Sequence, residues 1–299
     1  MKKNSIKLFH FLLIFAIIMN TLLFYGNADG GYTPSDTFTH TINALNLTCP
    51  KSQGTIRIMT YNLLADTPGF YGSPAYSRAA EVCRLLNTLS PDVAGLQESS
   101  RNWFYALSTN TTYRFISPLK TNICGTMTTI IYNPHTLALE EFGELTFSGS
   151  HNGRLRRAVW GLFTVRATNK PLVVINTHLS LEEEGNTPLI QATELLTLCR
   201  GLSAKYGCPL FLIGDFNSDM RSDKNPLRAG AHEIITTCFT DTELIADEKI
   251  HGDAKGTSAY CVDHIFTLGE AQILRFHLLS QSCFTPLSDH YPIFIDIQM

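Results

Sequence analysis

Acids, histidines and asparagines stand at the ends of short apolar runs along this 299-residue chain. Tyr61-Asn62 closes the run that starts at Ile56, Gln97-Glu98 closes one from Val93, and Asn176-Thr177-His178 closes a third. Gly214-Asp215-Phe216-Asn217 follows Pro209–Ile213, Val262-Asp263-His264 opens another run, and Ser288-Asp289-His290 precedes the last. Burying so many polar groups is unfavourable unless a cation or a proton-transfer task uses them. Magnesium fits such a set, because it takes one or two carboxylates plus waters and phosphate oxygens and not a closed protein cage. Among these residues an acid can act as general base, and a histidine can stabilise developing negative charge.

The elements that must position these groups follow from pattern. Ile56–Tyr61 is a β-branched and aromatic run and reads as a first strand. Ala79, Val82, Cys83, Leu85, Leu86 and Leu89 recur at helical spacing, and Ser90-Pro91-Asp92 stops that helix. Val93–Leu96 is a short buried strand, and further strands are expected at 128–132, 158–166 and 171–177. A helix over about 188–204 carries Leu189, Ile190, Leu195, Leu196, Leu198 and Leu202 inward, before strands at 209–213, 262–267 and 292–297. Strands alternate with helices and no composition shift follows residue 55, so residues 55–299 read as one α/β domain, with ligand groups at its strand ends. Loops at 66–77, 143–157 and 218–230 are expected to set specificity.

The first 28 residues differ in kind. Lys2, Lys3 and Lys7 precede an apolar run from Leu8 to Tyr25, and Gly26 and Ala28 give a small-x-small exit. This is the pattern of a cleaved secretory signal peptide; an uncleaved anchor is the alternative. Residues 29–54, rich in Gly, Thr, Asn and Ser, read as an extended lead-in. Removing residues 1–28 takes away three lysines and no acids, changing 23 basic against 26 acidic residues to 20 against 26, or net −6. Binding nucleic acid by blanket phosphate neutralisation calls for a basic surface, so an acidic protein that handles phosphates needs bound metal. The eight cysteines suit an oxidising compartment, although they allow 105 complete pairings. Cys199 and Cys208 are the nearest pair in sequence and so a candidate local bridge. No C-x-x-C spacing supports a cysteine zinc site, and Asn46 and Asn110 lie in glycosylation acceptor triplets.

Several motifs fail on their chemistry. Ser288-Asp289-His290 holds the residue types of a hydrolase triad, but adjacent side chains diverge where a triad must converge. Asp215-x-Asn217-x-Asp219 begins like a calcium loop, yet Met220 and Pro226 stand where Gly and Glu are required. His232-Glu233 lacks a second histidine at zincin spacing and reads as an ordinary helix face. Arg154, Arg156 and Arg157 suit phosphate binding or solvation equally. Thr257, in a Gly-Thr-Ser turn, reads as turn more than substrate contact.

Six segments, in order across residues 57–297, resemble the endonuclease/exonuclease/phosphatase superfamily, the fold of DNase I, abasic-site endonucleases, neutral sphingomyelinases, poly(A) deadenylases and inositol polyphosphate 5-phosphatases. They are Met59-Thr60-Tyr61-Asn62-Leu63, Pro91-Asp92-Val93-Ala94-Gly95-Leu96-Gln97-Glu98, Asn176-Thr177-His178-Leu179, Gly214-Asp215-Phe216-Asn217, Val262-Asp263-His264-Ile265-Phe266 and Ser288-Asp289-His290-Tyr291-Pro292. The resemblance implies a four-layer α/β sandwich, two packed β-sheets flanked by helices. It also implies that Glu98 is the principal magnesium ligand, with Asn62 helping to hold that carboxylate and Asp289 near the metal; Mn2+ or Ca2+ are alternatives. Asp215 and Asn217 would orient the attacking water and contact the phosphate. His178 and His290 would hold phosphate oxygens, with Asp263 orienting His290. The implied activity is phosphodiester hydrolysis, first as a DNase I-like nuclease, second as a sphingomyelinase or inositol-phosphate phosphatase. A catalytically dead binding protein is a third reading, opposed by the presence of every expected polar position. A monomer without an obligate protein partner is expected.

Overall fold

Alternation along strand β1 (Thr55–Asn62) determines the layering. Ile56 and Ile58 pack to one side, Met59 and Tyr61 to the other, and all eight residues are buried. A strand buried on both faces lies inside a stack, covered above and below. The computed structural model describes residues 39, 41–44, 50–65, 75–116, 128–151, 154–181, 186–218, 226–252 and 262–299. Every described residue belongs to one compact unit, Thr37–Met299. The signal-peptide segment, Asn46 and Thr257 lie outside the described residues. Among the described residues no helix is long and apolar enough to cross a membrane.

Helix α1 (Ala75–Leu89) carries the chain from β1 to β2 (Val93–Gln97), which runs parallel to it. Ser90, at φ 47, ends α1 in the left-handed region, where its N–H donates to Leu86 O at 2.9 Å. Helix α2 (Arg101–Asn110), β3 (Arg114–Ile116) and β4 (Thr129–Tyr132) follow. A long hairpin, β5 (Leu137–His151) and β6 (Arg154–Val165), leads to β7 (Pro171–His178). Helix α3 (Thr187–Tyr206) begins with Pro188 in its first turn, ends at left-handed Gly207, and delivers β8 (Leu210–Asp215) parallel to β7. The remainder is α4 (Pro226–Thr236), β9 (Thr240–Asp241), α5 (Thr242–Ile245), β10 (Glu248–His251), β11 (Asp263–Leu268), β12 (Gln272–Leu278), a 3-10 turn at Ser282–Phe284, and β13 (Ile293–Gln298).

The strands form two sheets. One has seven in the order β10-β12-β13-β1-β2-β4-β3, the other six in the order β5-β6-β7-β8-β11-β9. Ile56, Ile58, Val93 and Ile130 from the first sheet meet Val159, Val174, Phe211, Ile213 and Ile265 from the second. Outside this central core, α1 and α2 cover the first sheet through Val82, Leu86 and Trp103, and α3 and α4 cover the second through Leu195, Cys199 and Ile235. This is the expected four-layer α/β sandwich.

Some local readings differ from pattern. Residues 143–157, expected as a loop, belong almost wholly to the β5–β6 hairpin; register shifts at Leu139/Glu141 and Thr146/Ser150 break the alternation that would reveal strands. Helix α2 has only Trp103, Ala106 and Leu107 buried, too few for a clear stripe. Within the 29–54 lead-in, Thr39 and residues 41–44 are helical and Ile42 is buried in the core beneath α1, anchored by one apolar side chain that composition averages away. Of residues 218–230, positions 226–230 form the start of α4. Cys199 is buried on α3 and Cys208 lies just beyond its end; both are free thiols, so the local bridge does not form.

Candidate active site

Strand parity brings the polar groups together. On β1 the even positions face the second sheet, so Asn62 continues the line of Ile56 and Ile58. On β7, Leu172 and Val174 face the same interior, followed by Asn176 and His178. On β8 and β11 the odd positions do so, placing Asp215 beyond Ile213 and Asp263 before Ile265. Register aligns them further: His178 pairs with Asp215, and Asp215 with Asp263. A row of three ionisable groups thus crosses the second sheet where the apolar core gives out.

Contacts tie this row to the first sheet. Asn62 Nδ2 donates to Asp215 Oδ2 at 2.9 Å, and His178 Nε2 and His290 Nε2 lie 3.4 and 3.7 Å from that same oxygen. His290 Nδ1 is 2.7 Å from Asp263 Oδ2. Asn217 N donates to Asp215 Oδ1 at 2.9 Å, and its side-chain amide to Leu179 O at 2.9 Å. Below the row, Gln97 Nε2 donates to Asn176 Oδ1 at 2.7 Å and joins the sheets. Gly95 makes room for that bond, since a Cβ there would stand 2.6 Å from the Asn176 amide.

The residues expected on the metal side lie on the adjoining loops. Glu98 ends β2 at φ 54, and its Oε2 accepts from Ala65 N at 2.7 Å. Asn62 Oδ1 accepts from Leu64 N at 3.0 Å. The expected support of Glu98 by Asn62 is therefore indirect: the Asn62 amide holds Asp215, while the loop it shapes supplies the N–H that reaches Glu98. Asp289 is exposed and accepts from Ser288 Oγ at 3.4 Å; Ser288 Oγ also donates to Asn62 O at 2.7 Å. Leu64, Glu98 and Asn217 are three of five described non-glycine residues with positive φ, a strain of about 1–2 kcal/mol each concentrated at one place.

Electrostatics divides the roles. Burial pushes the Asp215 carboxyl up to about 6, with Asp263 adding to the effect and His290 and Asn62 opposing it. Burial also works against a proton on His290, but Asp263 and Asp215 outweigh it and hold that imidazole well above its usual range. His178 is driven the other way by burial, Arg156 and His290, and is neutral. One acid poised as base beside one cationic imidazole is a hydrolytic pairing. Arg156 was not singled out from its neighbours by sequence; its charge acts on His178, whereas Arg157 pairs with Glu144 at 3.5 Å.

The residues fit a divalent ion. Asp215, Asp263 and His290 hold their polar atoms within 4.8 Å of one another, and of these the two carboxylates can face a cation while the His290 imidazole keeps its proton. Asp263 Oδ1 and His178 Nδ1 are buried without hydrogen-bond partners, as expected of groups that address a ligand. Hard carboxylate oxygens, with Glu98 half-buried alongside, suit Mg2+.

The sequence model of the endonuclease/exonuclease/phosphatase family matches residues 59–290. The chain belongs to this family. Its members hydrolyse phosphoesters and are typically dependent on divalent metal, and this chain has acid and histidine groups able to hold an ion. A functionally unknown conserved protein from Enterococcus faecalis is similar at 25% identity and TM-score 0.69, covering 81% of this chain and 99% of that one. A mannosyl-6-phosphatase from Bacteroides thetaiotaomicron shares the fold at 17% identity and TM-score 0.69, covering 82% and 100%. The TDP2 of D. rerio complexed with single-strand DNA product does so at 16% and 0.62, covering 83% and 100%. No curated protein matches the sequence.

Proposed function

We propose that this family member is a secreted, divalent-metal-dependent phosphodiesterase whose first substrate class is nucleic acid. The carrying observation is the row His178–Asp215–Asp263 with His290 resting on Asp263: a base near neutrality beside an imidazole kept cationic. Asp215 accepts the proton of a water that attacks phosphorus, and Asn62 and Asn217 fix its two oxygens toward their tasks. His290 donates a hydrogen bond to a phosphoryl oxygen as the P–O bond breaks, Asp263 keeps it oriented, and the departing oxygen takes its proton from solvent water. His178, neutral, donates one hydrogen bond to the same phosphate. Glu98, with Asp289 nearby, would hold Mg2+, which when bound neutralises charge on the phosphate and helps position water. The net charge of −6 without residues 1–28 favours a short phosphate segment gripped by metal, histidines and Arg156 over a long basic track.

Likeness in fold to a mannosyl-6-phosphatase favours a second reading, hydrolysis of a phosphate monoester. Phospholipid and inositol phosphate are alternatives on the same chemistry. Plasmid DNA, RNA, sphingomyelin, an inositol polyphosphate and a sugar phosphate, each offered with Mg2+, decide among them. Cleavage of nucleic acid without release of inorganic phosphate is expected. Release from monoesters alone would replace the first reading by the second, and turnover of none by folded protein would sink both. Secretion as a monomer is part of the proposal; mass spectrometry of the exported protein should find an N-terminus at Asp29.

A further inference from the structure

A second group of metal-ligating side chains lies on the opposite face of β11. His264 and Phe266 point away from the inter-sheet core, toward the α4 side, because their parity is opposite to that of Asp263 and Ile265. There His264 meets His232 of α4 and Asp241 of β9, and all three residues are buried. His264 Nδ1 is 2.9 Å from Asp241 Oδ2, and His232 Nε2 is 4.0 Å from the same oxygen. One donor atom from each residue lies within 4.8 Å of the others.

We propose that His232, Asp241 and His264 form a binding site for a borderline transition-metal ion, zinc by preference, separate from the catalytic row. Ligands at 2.0–2.2 Å around a tetrahedral ion stand about 3.4 Å apart, and the two separations of 2.9 and 4.0 Å bracket that figure. Two imidazoles and one carboxylate select zinc over magnesium, which prefers oxygen ligands and keeps its waters. The surroundings agree: the His264 ring stacks on Phe266 at 22°, and Phe216 meets both rings edge-on. An aromatic shell of this kind limits solvent access and favours a compact four-coordinate ion.

A second observation points the same way. His232 is 3% exposed, and its Nε2, the ring nitrogen that faces Asp241, stands 4.0 Å from that carboxylate, beyond hydrogen-bond reach. A cation among the three groups would take up a lone pair of that ring. Such an ion clamps α4 and β9 to β11 one residue from Asp263, so it steadies the strand that supports His290 from behind.

Metal content tests this without turnover, so its failure is distinct from failure of the phosphoesterase reading. The full-length chain, equilibrated with zinc and then dialysed against excess Mg2+, should retain about one zinc per chain by mass spectrometry of the elements. His290→Ala, which removes a donor from the catalytic row, should retain it equally. His232→Gln and Asp241→Asn should lose it at least about tenfold more readily. Because a buried substitution can unfold the domain, zinc-edge X-ray absorption of the unaltered protein gives an independent reading. Two imidazoles and one carboxylate at about 2.0–2.2 Å are expected. Zinc absent from the unaltered protein, lost with His290→Ala, retained by folded His232→Gln, or bound through fewer than two imidazoles overturns the site.

Discussion

Asp215 receives a hydrogen bond from Asn62, lies within 4 Å of two imidazoles and sits beside a second acid, yet burial is the largest influence on its proton. Its rise to about 6 means that the base is lost as pH falls through that value. Activity should climb with pH to a plateau above about 6 and fall again at alkaline pH, where His290 loses the proton that Asp263 holds on it. Asp263→Asn removes the chief favourable charge, so its alkaline limb should move to lower pH; an unmoved limb would show that His290 does not carry the proton. Asp215→Asn should lower kcat by about 10²–10⁴ while leaving the thermal midpoint close to that of the unaltered protein. Retained activity there, or in Glu98→Ala, would remove that residue from the mechanism.

Loop anchoring belongs to the scale of elements. Arg78, buried in α1, donates to Leu63 O, Leu64 O and Leu287 O at 2.5–2.6 Å, with its guanidinium 4.9 Å from the centre of the Trp103 ring. One helix residue thus fixes both the loop whose Ala65 N meets Glu98 and the loop leading to His290. Arg78→Ala should raise the Mg2+ concentration needed for half-maximal activity by about tenfold, since loss of outer support typically weakens metal sites by 10–100-fold. A magnesium titration of the initial rate reads it; an unchanged midpoint would confine Arg78 to fold stability. At Gly214, φ is +147 and a Cβ would meet Thr177 O at 2.1 Å, so only glycine lets β7 and β8 align His178 with Asp215.

At the scale of the whole molecule, stability and chemistry are separable. Arg57 on β1 forms a two-pronged ion pair with Asp296 on β13, at 2.7 and 2.8 Å, and both are buried. Asp296→Ala strands a buried cation and should cost about 3–5 kcal/mol, read as a lower denaturant midpoint with kcat preserved below the transition. Much of the sandwich was legible in sequence, because β1, β2, β7 and β8 are apolar runs with clear stops; α3 was legible in extent but not wholly in face, since Ile190, expected inward, is 46% exposed and Gln191 is buried instead. The polar groups closing those runs, Asn62, Glu98, His178 and Asp215, were legible for the same reason. Strand β12, strand β5 and the first residues of β6 were not, since half-buried strands interrupted by register shifts show no steady alternation. Sequence alone determined which residues end each strand, and hence the candidate chemistry, because local pattern sets where a strand stops and which way each side chain points. Only the tertiary structure decided that burial raises the Asp215 carboxyl, that Asn62 serves Asp215 more directly than Glu98, that the charge of Arg156 acts on His178, and that His232 meets His264. These depend on register between strands distant in sequence and on the burial it creates, and neither is encoded in any one segment.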